Sequence, residues 1–216
     1  MTKDWLIAHR GARCDGHENT LVAFEATKRY PLGWVELDVH TTKDGVVICH
    51  HDFYVNGLDI ELYTFKELKT ADPQLATFDE TINTIEKAPL IVEIKPTRTA
   101  KNIIMQLRSN PDWQVASFKS EVIKELIALK VDRRRLFLLQ HDNSFRLLKT
   151  AIDLGIGGIG INQRVVTPSL YLRARKHGLK MYTYTVNSPW QAKLFRLLYP
   201  KLLICTDRPD LLKDIR

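Results

Sequence analysis

Cysteine is scarce and widely spaced in this chain. Of 216 residues only three are cysteines, Cys14, Cys49 and Cys205, and none of them forms a CxxC pair. This spacing argues against a cysteine-based zinc site, and an odd number of distant thiols argues against a disulfide framework. We therefore expect free thiols in a reducing compartment and predict a cytoplasmic protein.

Long apolar segments are also lacking. No apolar run reaches the roughly 18 residues that a membrane-spanning helix needs, and the charged start MTKDW is not followed by the apolar region of a signal peptide. Glycine and proline number only 10 and 9, which excludes fibrous and low-complexity classes. The composition is that of a globular chain without a membrane span.

Positive charge is in excess, with 32 Lys and Arg against 25 Asp and Glu and a net charge of +7. This balance suits nucleic acid, anionic lipid headgroups or a phosphorylated substrate. The densest basic cluster, Arg133 to Arg135, precedes a predicted strand, and no aromatic and basic signature of a nucleic-acid-binding module accompanies it. We interpret it as a solvated loop and predict no nucleic-acid partner.

Short apolar runs alternate with amphipathic stretches along the chain. The eight predicted strands are WLIAH, WVELDV, LIVEIK, QVASF, RLFLLQ, IGGIGI, MYTYTV and LLICT. The predicted helices are ENTLVAFEATKRY, TAKNIIMQLRSN, KSEVIKELIALK, NSFRLLKTAIDLG, TPSLYLRARKHG, PWQAKLFRLLYP and DLLKDI. Continuous apolar strands are typical of parallel sheets covered on both faces. Eight such units predict an α/β fold, a single TIM-type (β/α)8 barrel domain over residues 1–216.

The main alternative is a doubly wound sheet, but the first predicted strand is followed by HRGARCDG and not by a GxGxxG loop. One insertion interrupts the barrel pattern. About 50 residues separate WVELDV from LIVEIK, and they include another short strand, VVICHH, and a loop or hairpin segment, DFYVNGLDIELYTF. We predict a short insertion between barrel strands 2 and 3.

Three carboxylates occupy alternating positions of neighbouring predicted strands. Glu36 and Asp38 are two residues apart, so their side chains share one face of a strand, and Glu93 lies similarly between Val92 and Ile94. Three acids in a barrel interior repel one another unless a cation neutralises them. Oxygen ligands select one hard divalent ion, Mg²⁺ or Ca²⁺. The alternative is a structural salt-bridge network with basic side chains.

Two histidines end predicted strands beside these acids. His9 and His51 suit an acid/base pair for proton transfer, whereas His50, next to His51, is expected to face the opposite way. Arg10 and Lys95 add fixed positive charge, which suits a phosphate ester. The structural alternative is that His9 only ends a strand edge.

A structural alternative also exists for the segment after His9. Asn19 would then serve only as the cap of a helix that runs from Thr20 to Tyr30.

The same residues belong to five motifs that follow one another along the chain. The motifs are HRG with HENT five residues later, ELDVHTTKDGVVICHHD, VEIKP, MYTYTVNSP and LLICTDRPDLL. Together they resemble the glycerophosphodiester phosphodiesterase family, whose members read HRG-x5-PENT, ELD, HD and EIK in this order. The resemblance implies a TIM barrel that hydrolyses small glycerophosphodiesters to glycerol 3-phosphate and an alcohol with a divalent metal.

The resemblance also implies a role for each matching residue. The implied roles are acid/base catalysis for His9 and His51, metal binding for Glu36, Asp38 and Glu93, substrate binding for Arg10, Lys95 and Tyr184, and site support for Glu18 and Asn19. Which histidine is the acid, and the oligomeric state, are left open.

The chain departs from the family pattern at three places. His17 replaces the usual proline, Tyr184 stands where many members have tryptophan, and the segment after His51 and Asp52 is shortened. The shortened segment bears on substrate choice. Two alternative functions therefore stay open, a lysophospholipase D-like activity on the same site and a catalytically silent barrel that binds a phosphate ligand.

Overall fold

Over residues 2–86 and 88–215, which the computed structural model describes, the chain forms twelve strands and ten α-helices. The strands are β1 (Lys3–Ala8), β2 (Leu32–Thr41), β3 (Val47–Cys49), β4 (Tyr54–Val55), β5 (Leu58–Asp59), β6 (Ala76–Thr77), β7 (Leu90–Ile94), β8 (Gln114–Ser117), β9 (Leu136–Gln140), β10 (Gly158–Asn162), β11 (Lys180–Tyr184) and β12 (Leu202–Thr206). The helices are α1 (Leu21–Ala26), α2 (Phe65–Ala71), α3 (Phe78–Ile85), α4 (Thr97–Asn102), α5 (Ile104–Ser109), α6 (Ser120–Ala128), α7 (Ser144–Leu154), α8 (Pro168–Lys176), α9 (Pro189–Leu198) and α10 (Pro209–Leu212).

Eight of the strands are parallel and close into a barrel. Their order is β1, β2, β7, β8, β9, β10, β11 and β12, and β12 pairs in turn with β1. Helices connect successive barrel strands on the outside. The predicted TIM-type barrel is therefore confirmed. Its closure brings residues from the two ends of the sequence side by side, as in the pairing of Ala8 with Thr206.

Most predicted helix boundaries have the expected chemistry. Pro168, Pro189 and Pro209 occupy the first turns of α8, α9 and α10, where a missing amide hydrogen costs nothing. Gly155 ends α7 in the left-handed conformation, which glycine adopts without strain. The alternative role of Asn19 is wrong, because the helix after it is capped by the side chain of Thr20.

The region between β2 and β7 contains more helices and strands than its sequence pattern predicted. β3 continues the sheet antiparallel to β2, and β4 and β5 form the expected small hairpin. The helices α2 and α3 were missed, although Thr64 and Thr77 each begin one with a capping box. The predicted helix TAKNIIMQLRSN is in fact two short helices, α4 and α5, which meet at Ile103.

Side chains of alternate barrel residues fill the barrel interior. The inner apolar cluster contains Ile7, Ile91, Ala116, Phe137, Leu139, Tyr182 and Cys205. Large rings are accommodated because facing positions are small: a Cβ added at Gly160 would lie 2.7 Å from the Tyr182 ring. The intervening residues, such as Val35, Leu37 and Val39, point outward into the larger core beneath the helices. No helix among the described residues is long and apolar enough to cross a bilayer.

Candidate active site

The carboxyl ends of the barrel strands surround a cavity of about 490 Å³. Its walls include most of the polar residues that the sequence predicted to meet, whereas Asp38, Glu18 and Asn19 do not line it; the lining residues of this set are His9, Arg10, Glu36, His51, Glu93, Lys95 and Tyr184. Most of them meet because they lie at or just beyond the last residues of a strand. Glu36 lies in the middle of the longer strand β2 with its side chain on the inward face. The cavity is therefore the candidate active site.

The three carboxylates converge as the alternation of their strands predicted. Asp38 pairs with Glu93 across β2 and β7, and oxygens of Glu36, Asp38 and Glu93 all lie within 4.8 Å of one another. All three side chains are buried. Such a set of oxygen atoms from neighbouring strands has the size and the chemistry of a hard-cation site.

Electrostatics distinguishes the three acids. Burial, followed by repulsion from Asp38 and Glu93, raises the pKa of Glu36 well above its usual value. Burial and the charge of Asp38 likewise raise the pKa of Glu93 to about 7. Burial acts in the same direction on Asp38, but Lys95 and Arg10 more than offset it and lower the pKa of this carboxyl. Negative charge in the cluster is therefore only partly compensated by protein groups.

Two cations supply that partial compensation. The Nζ atom of Lys95 lies 2.8 Å from Oδ1 of Asp38 and 2.5 Å from Oε1 of Glu93. The guanidinium Nε of Arg10 lies 3.1 Å from Oδ2 of Asp38. The salt-bridge network considered as an alternative is therefore present, but two cations face three carboxylates. A divalent cation would leave the site with net positive charge, which suits a phosphodiester anion.

Of the three carboxylates, Glu36 in particular fits a role as a ligand of such a cation. Its Oε2 accepts a hydrogen bond from the backbone amide of Arg10 at 3.0 Å, and among the described residues no Lys or Arg side chain forms an ion pair with it. Cys205, together with His9 and Glu36, forms a second set of possible metal ligands. Burial and then the charge of Glu36 raise the pKa of the Cys205 thiol well above its usual value, so a thiolate ligand is disfavoured.

His9 follows the last residue of β1 and is held by a carboxylate from the other end of the chain. Its Nδ1 lies 2.7 Å from Oδ1 of Asp207, which follows β12. Asp207 is held in turn by Nη1 of Arg13 at 2.7 Å and by Nδ2 of Asn187 at 2.9 Å. This arrangement fixes the imidazole plane and leaves Nε2 as its second ring nitrogen for the cavity.

His51 lies on the insertion after β3 and also lines the cavity. Its Nδ1 lies 2.7 Å from Oδ1 of the adjacent Asp52. Burial and the charge of Lys95 lower the pKa of His51, with Asp38 acting in the opposite direction. The neighbouring His50 turns away, as its position next to His51 predicted, and its Nε2 lies 3.1 Å from the carbonyl oxygen of Tyr54.

The loop after β1 is shaped by unusual backbone conformations. Arg10, Gly11 and Asn19 all have positive φ angles, of 57°, 85° and 55°. A Cβ at Gly11 would lie 2.9 Å from the backbone of Ala23, so the glycine of HRG permits the loop to approach α1.

The side chains at the end of that loop hold neighbouring groups. Asn19 donates from Nδ2 to Asp38 at 3.0 Å, and Glu18 accepts from Arg10 at 2.6 Å. Glu18 therefore contacts a predicted substrate-binding residue and Asn19 a predicted metal ligand, and their supporting role stays a prediction.

An aromatic wall on the opposite side of the cavity was not anticipated as a unit. The rings of Phe118 and His141 stack with centroids 4.5 Å apart, and Tyr184 meets both at its edge. The Tyr184 hydroxyl donates to the carbonyl oxygen of Gln140 at 2.7 Å, which turns its ring toward the cavity. Only Tyr184 was singled out from sequence.

Asp207 directly follows the last predicted strand, LLICT, but its contact with His9 could not be foreseen from the sequence. The two residues are 198 positions apart in sequence, so only the closure of the barrel brings them together.

An acidic, cation-sized cluster beside two histidines at the carboxyl end of a (β/α)8 barrel is suited to hydrolysis of phosphate esters. Comparison with known proteins agrees. A family model described as the glycerophosphoryl diester phosphodiesterase family matches residues 9–211. A glycerophosphodiester phosphodiesterase from Bacillus altitudinis is 29% identical over 183 residues, which cover 80% of this chain and 72% of that protein.

Solved structures give the same result for the fold. A glycerophosphodiester phosphodiesterase from Parabacteroides distasonis has a TM-score of 0.84 at 22% identity, and the match covers 100% of this chain and 98% of that chain. A phosphodiesterase from Oleispira antarctica, solved in complex with the product sn-glycerol-3-phosphate, has a TM-score of 0.82 at 21% identity, covering 97% and 95%.

The family match covers nearly the whole chain, and the chain belongs to the glycerophosphoryl diester phosphodiesterase family. It is an enzyme, a phosphoric diester hydrolase that acts on glycerophosphodiesters, as its motifs predicted.

Proposed function

We propose that the enzyme hydrolyses small glycerophosphodiesters to glycerol 3-phosphate and an alcohol, with residues 1–216 acting as one barrel domain. The observation that carries the proposal is the convergence of Glu36, Asp38 and Glu93 within 4.8 Å, with Glu36 and Glu93 lining the same cavity as His9 and His51. The product bound to the Oleispira antarctica phosphodiesterase supports the choice of glycerol 3-phosphate.

In this proposal Glu36, Asp38 and Glu93 hold one divalent cation, Mg²⁺ or Ca²⁺. When bound, the cation would neutralise negative charge on the phosphoryl oxygens. Arg10 and Lys95 bind the phosphate from the same side, and Tyr184 contributes to the wall that contacts the rest of the substrate. Glu18 and Asn19 support the site through their contacts with Arg10 and Asp38.

Proton transfer is assigned to the two histidines. A hydroxyl of the substrate's glycerol attacks phosphorus, one histidine accepts the hydroxyl proton, and the other donates a proton to the leaving alcohol. The cyclic phosphate formed by this attack is then hydrolysed by water. Each ring has its Nδ1 engaged by a carboxylate, so Nε2 is the atom that exchanges the proton in both cases.

A substrate and metal panel tests the proposal. The protein is treated with EDTA and assayed with glycerophosphocholine, glycerophosphoethanolamine and glycerophosphoglycerol, each with Mg²⁺, Mn²⁺ or Ca²⁺ added back. We expect chelation to abolish turnover and at least one cation to restore it. Full activity after exhaustive dialysis against the chelator would contradict the metal-dependent mechanism.

A lysophospholipase D-like activity on the same site is the second candidate. Phe53 lines the cavity and is half exposed, so an apolar surface is available at the entrance for an acyl chain. Including a lysophospholipid in the panel decides between the two substrates. Binding of glycerol 3-phosphate without turnover of any substrate would favour the catalytically silent barrel. Cytoplasmic location and the lack of a nucleic-acid partner stay predictions.

A further inference from the structure

The positive charge of the protein is concentrated in one segment. No Asp or Glu occurs between Asp153 and Asp207, although eight Lys and Arg residues lie in this interval. The rest of the chain contains 24 basic and 25 acidic residues. The net charge of +7 therefore arises almost entirely from the segment 154–206, while the remainder of the protein is close to neutral.

In three dimensions this segment is one continuous sector of the barrel. It contains β10, α8, β11, α9 and β12, and these three strands are neighbours in the sheet. Seven of its eight basic residues are exposed, namely Arg164, Arg173, Arg175, Lys176, Lys180, Lys193 and Lys201. We call this surface the α8–α9 face.

Large apolar side chains are exposed on the same face. Trp190 and Leu197 of α9 are 72% and 79% exposed, and their separation of seven residues places them on one side of the helix. Leu198 of α9 and Leu172 of α8 are also exposed. Basic residues alternate with these apolar ones, as Lys193 does between Trp190 and Leu197.

Beneath this surface, Tyr199 at the C-terminal end of α9 contacts Tyr171 of α8. The rings of Tyr171 and Tyr199 lie 5.1 Å apart, and those of Phe195 and Tyr199 lie 5.8 Å apart. The backbone amide of Lys201 donates to the hydroxyl of Tyr171 at 3.2 Å. The α8–α9 face is therefore held in place by its buried contacts.

Carboxylates at the two edges of the sector do not neutralise it. Asp153 at the end of α7 has its own partner, Lys149, at 2.7 Å, and Asp210 at the start of α10 is bound by Arg208 at 2.8 Å. The exposed cations of the face lie outside the ion pairs formed among the described residues.

We propose that the α8–α9 face binds the surface of an anionic lipid bilayer. Interfacial helices combine basic residues with exposed Trp and Leu, because the cations contact anionic headgroups while the apolar side chains enter the headgroup region. Nucleic acid would match the charge but not the exposed leucines. Trp190 lies in the first turn of α9, and α9 follows β11, whose last residue Tyr184 lines the cavity. Trp190 therefore lies at the end of the face nearer the cavity, and Lys180, the first residue of β11, lies at the other end.

Vesicle flotation tests the proposal. The full chain is mixed with vesicles of phosphatidylcholine alone or of phosphatidylcholine with phosphatidylglycerol, at low and at high salt. We expect binding only to the anionic vesicles and loss of binding at high salt. Lys176→Glu with Lys193→Glu should weaken binding by at least about tenfold, since each basic residue near such a surface contributes about fivefold. Trp190→Ala with Leu197→Ser should also weaken it.

A matched control separates local from total charge. Lys66→Glu with Lys124→Glu makes the same change in net charge at exposed positions outside the face, and it should reduce binding much less. Turnover of a soluble glycerophosphodiester should be unchanged in all three double variants, so that a failure of this proposal is distinct from a failure of the proposed catalytic function.

Several results would overturn the proposal. One is equal binding to neutral and anionic vesicles, and another is an equal effect of the control variant. Binding to duplex DNA without binding to vesicles, lost in the α8–α9 variants, would assign the face to nucleic acid instead. A dimer of the wild type that Trp190→Ala with Leu197→Ser converts to a monomer would assign it to a second copy of the chain.

Discussion

The cavity contains two histidine–carboxylate pairs that look alike locally and differ in every contact beyond the pair. The Nδ1-to-oxygen distance is 2.7 Å both for His9 with Asp207 and for His51 with Asp52. However, the Asp207 side chain is 22% exposed and has two further partners, whereas Asp52 is 75% exposed and adjacent to its histidine in sequence. One pair is built into the barrel, and the other lies on its insertion.

This difference in burial and contacts predicts unequal roles for the two carboxylates. A half-buried carboxylate that is itself held by Arg13 and Asn187 fixes the orientation of His9. An exposed carboxylate competes with water for its histidine, and such pairs contribute about 1 kcal/mol or less. We therefore expect the two histidines to be equally necessary but their carboxylate partners to be unequally so.

Removing either imidazole should have the largest effect. His9→Ala and His51→Ala are each expected to lower kcat by about 10²-fold or more, the scale of general acid–base catalysis. The affinity for glycerol 3-phosphate should change far less, because in the proposed mechanism Arg10, Lys95 and the cation attract the phosphate. Steady-state kinetics with calorimetric binding measures both quantities.

His50→Ala is the matched control, because His50 is adjacent in sequence but bonds to Tyr54. Its effect on kcat should be small. A greater loss in His50→Ala than in His51→Ala would contradict the assignment.

Removing the carboxylates should separate the pairs. Asp207→Asn is expected to lower kcat by at least about tenfold with little change in KM, since the carboxylate that holds a catalytic imidazole is worth up to about 10⁴-fold in serine proteases. Asp52→Asn should cost at most about fivefold, as expected of an exposed pair. The pH profile of kcat should shift in Asp207→Asn. Similar losses in both variants would show that the difference in burial has no catalytic consequence.

The sequence predicts the barrel and the inward acids well because both depend on local patterns. Eight continuous apolar runs indicate buried parallel strands, and the period of two along a strand places Glu36, Asp38 and Glu93 on the inner face. These signals are contained within a few neighbouring residues. They are sufficient to bring the acids together once the barrel closes.

Features that depend on tertiary contact were missed. The side chains of Phe118 and His141 belong to different barrel units, and neither residue has a local signal for ring stacking. By contrast, α2 was missed although a local signal was present. Thr64 and Glu67 have the T-x-x-E spacing that predicts a capping box, and they form one in the structure. The predicted loop there was therefore an error of interpretation.

The pH dependence of stability should also distinguish the His9–Asp207 pair from the His51–Asp52 pair. Burial opposes ionisation of Asp207, but its bonds with His9, Asn187 and Arg13 lower its pKa below the usual value. A carboxyl with a lowered folded pKa stabilises the protein above its unfolded pKa of about 4 and loses that contribution as the pH falls through the folded value. Asp207→Asn should therefore lower Tm at pH 7, and its difference from wild type should narrow below about pH 4. Asp52→Asn should change Tm little at either pH.

The smallest change in Tm is expected for variants of the acidic cluster. Among the described residues, Lys95 and Arg10 form ion pairs with Asp38 but not with Glu36. Burial and repulsion raise the pKa of Glu36, so its ionisation destabilises the folded state at neutral pH. In chelated protein Glu36→Gln should leave Tm unchanged or raise it by a few degrees. Asp38→Asn should lower it, because Lys95 and Arg10 each lose one of their carboxylate partners and keep only Glu93 and Glu18. Added Mg²⁺ or Ca²⁺ should raise the Tm of wild type more than that of either variant. A marked fall in Tm for chelated Glu36→Gln would instead identify the cluster as a structural salt-bridge network.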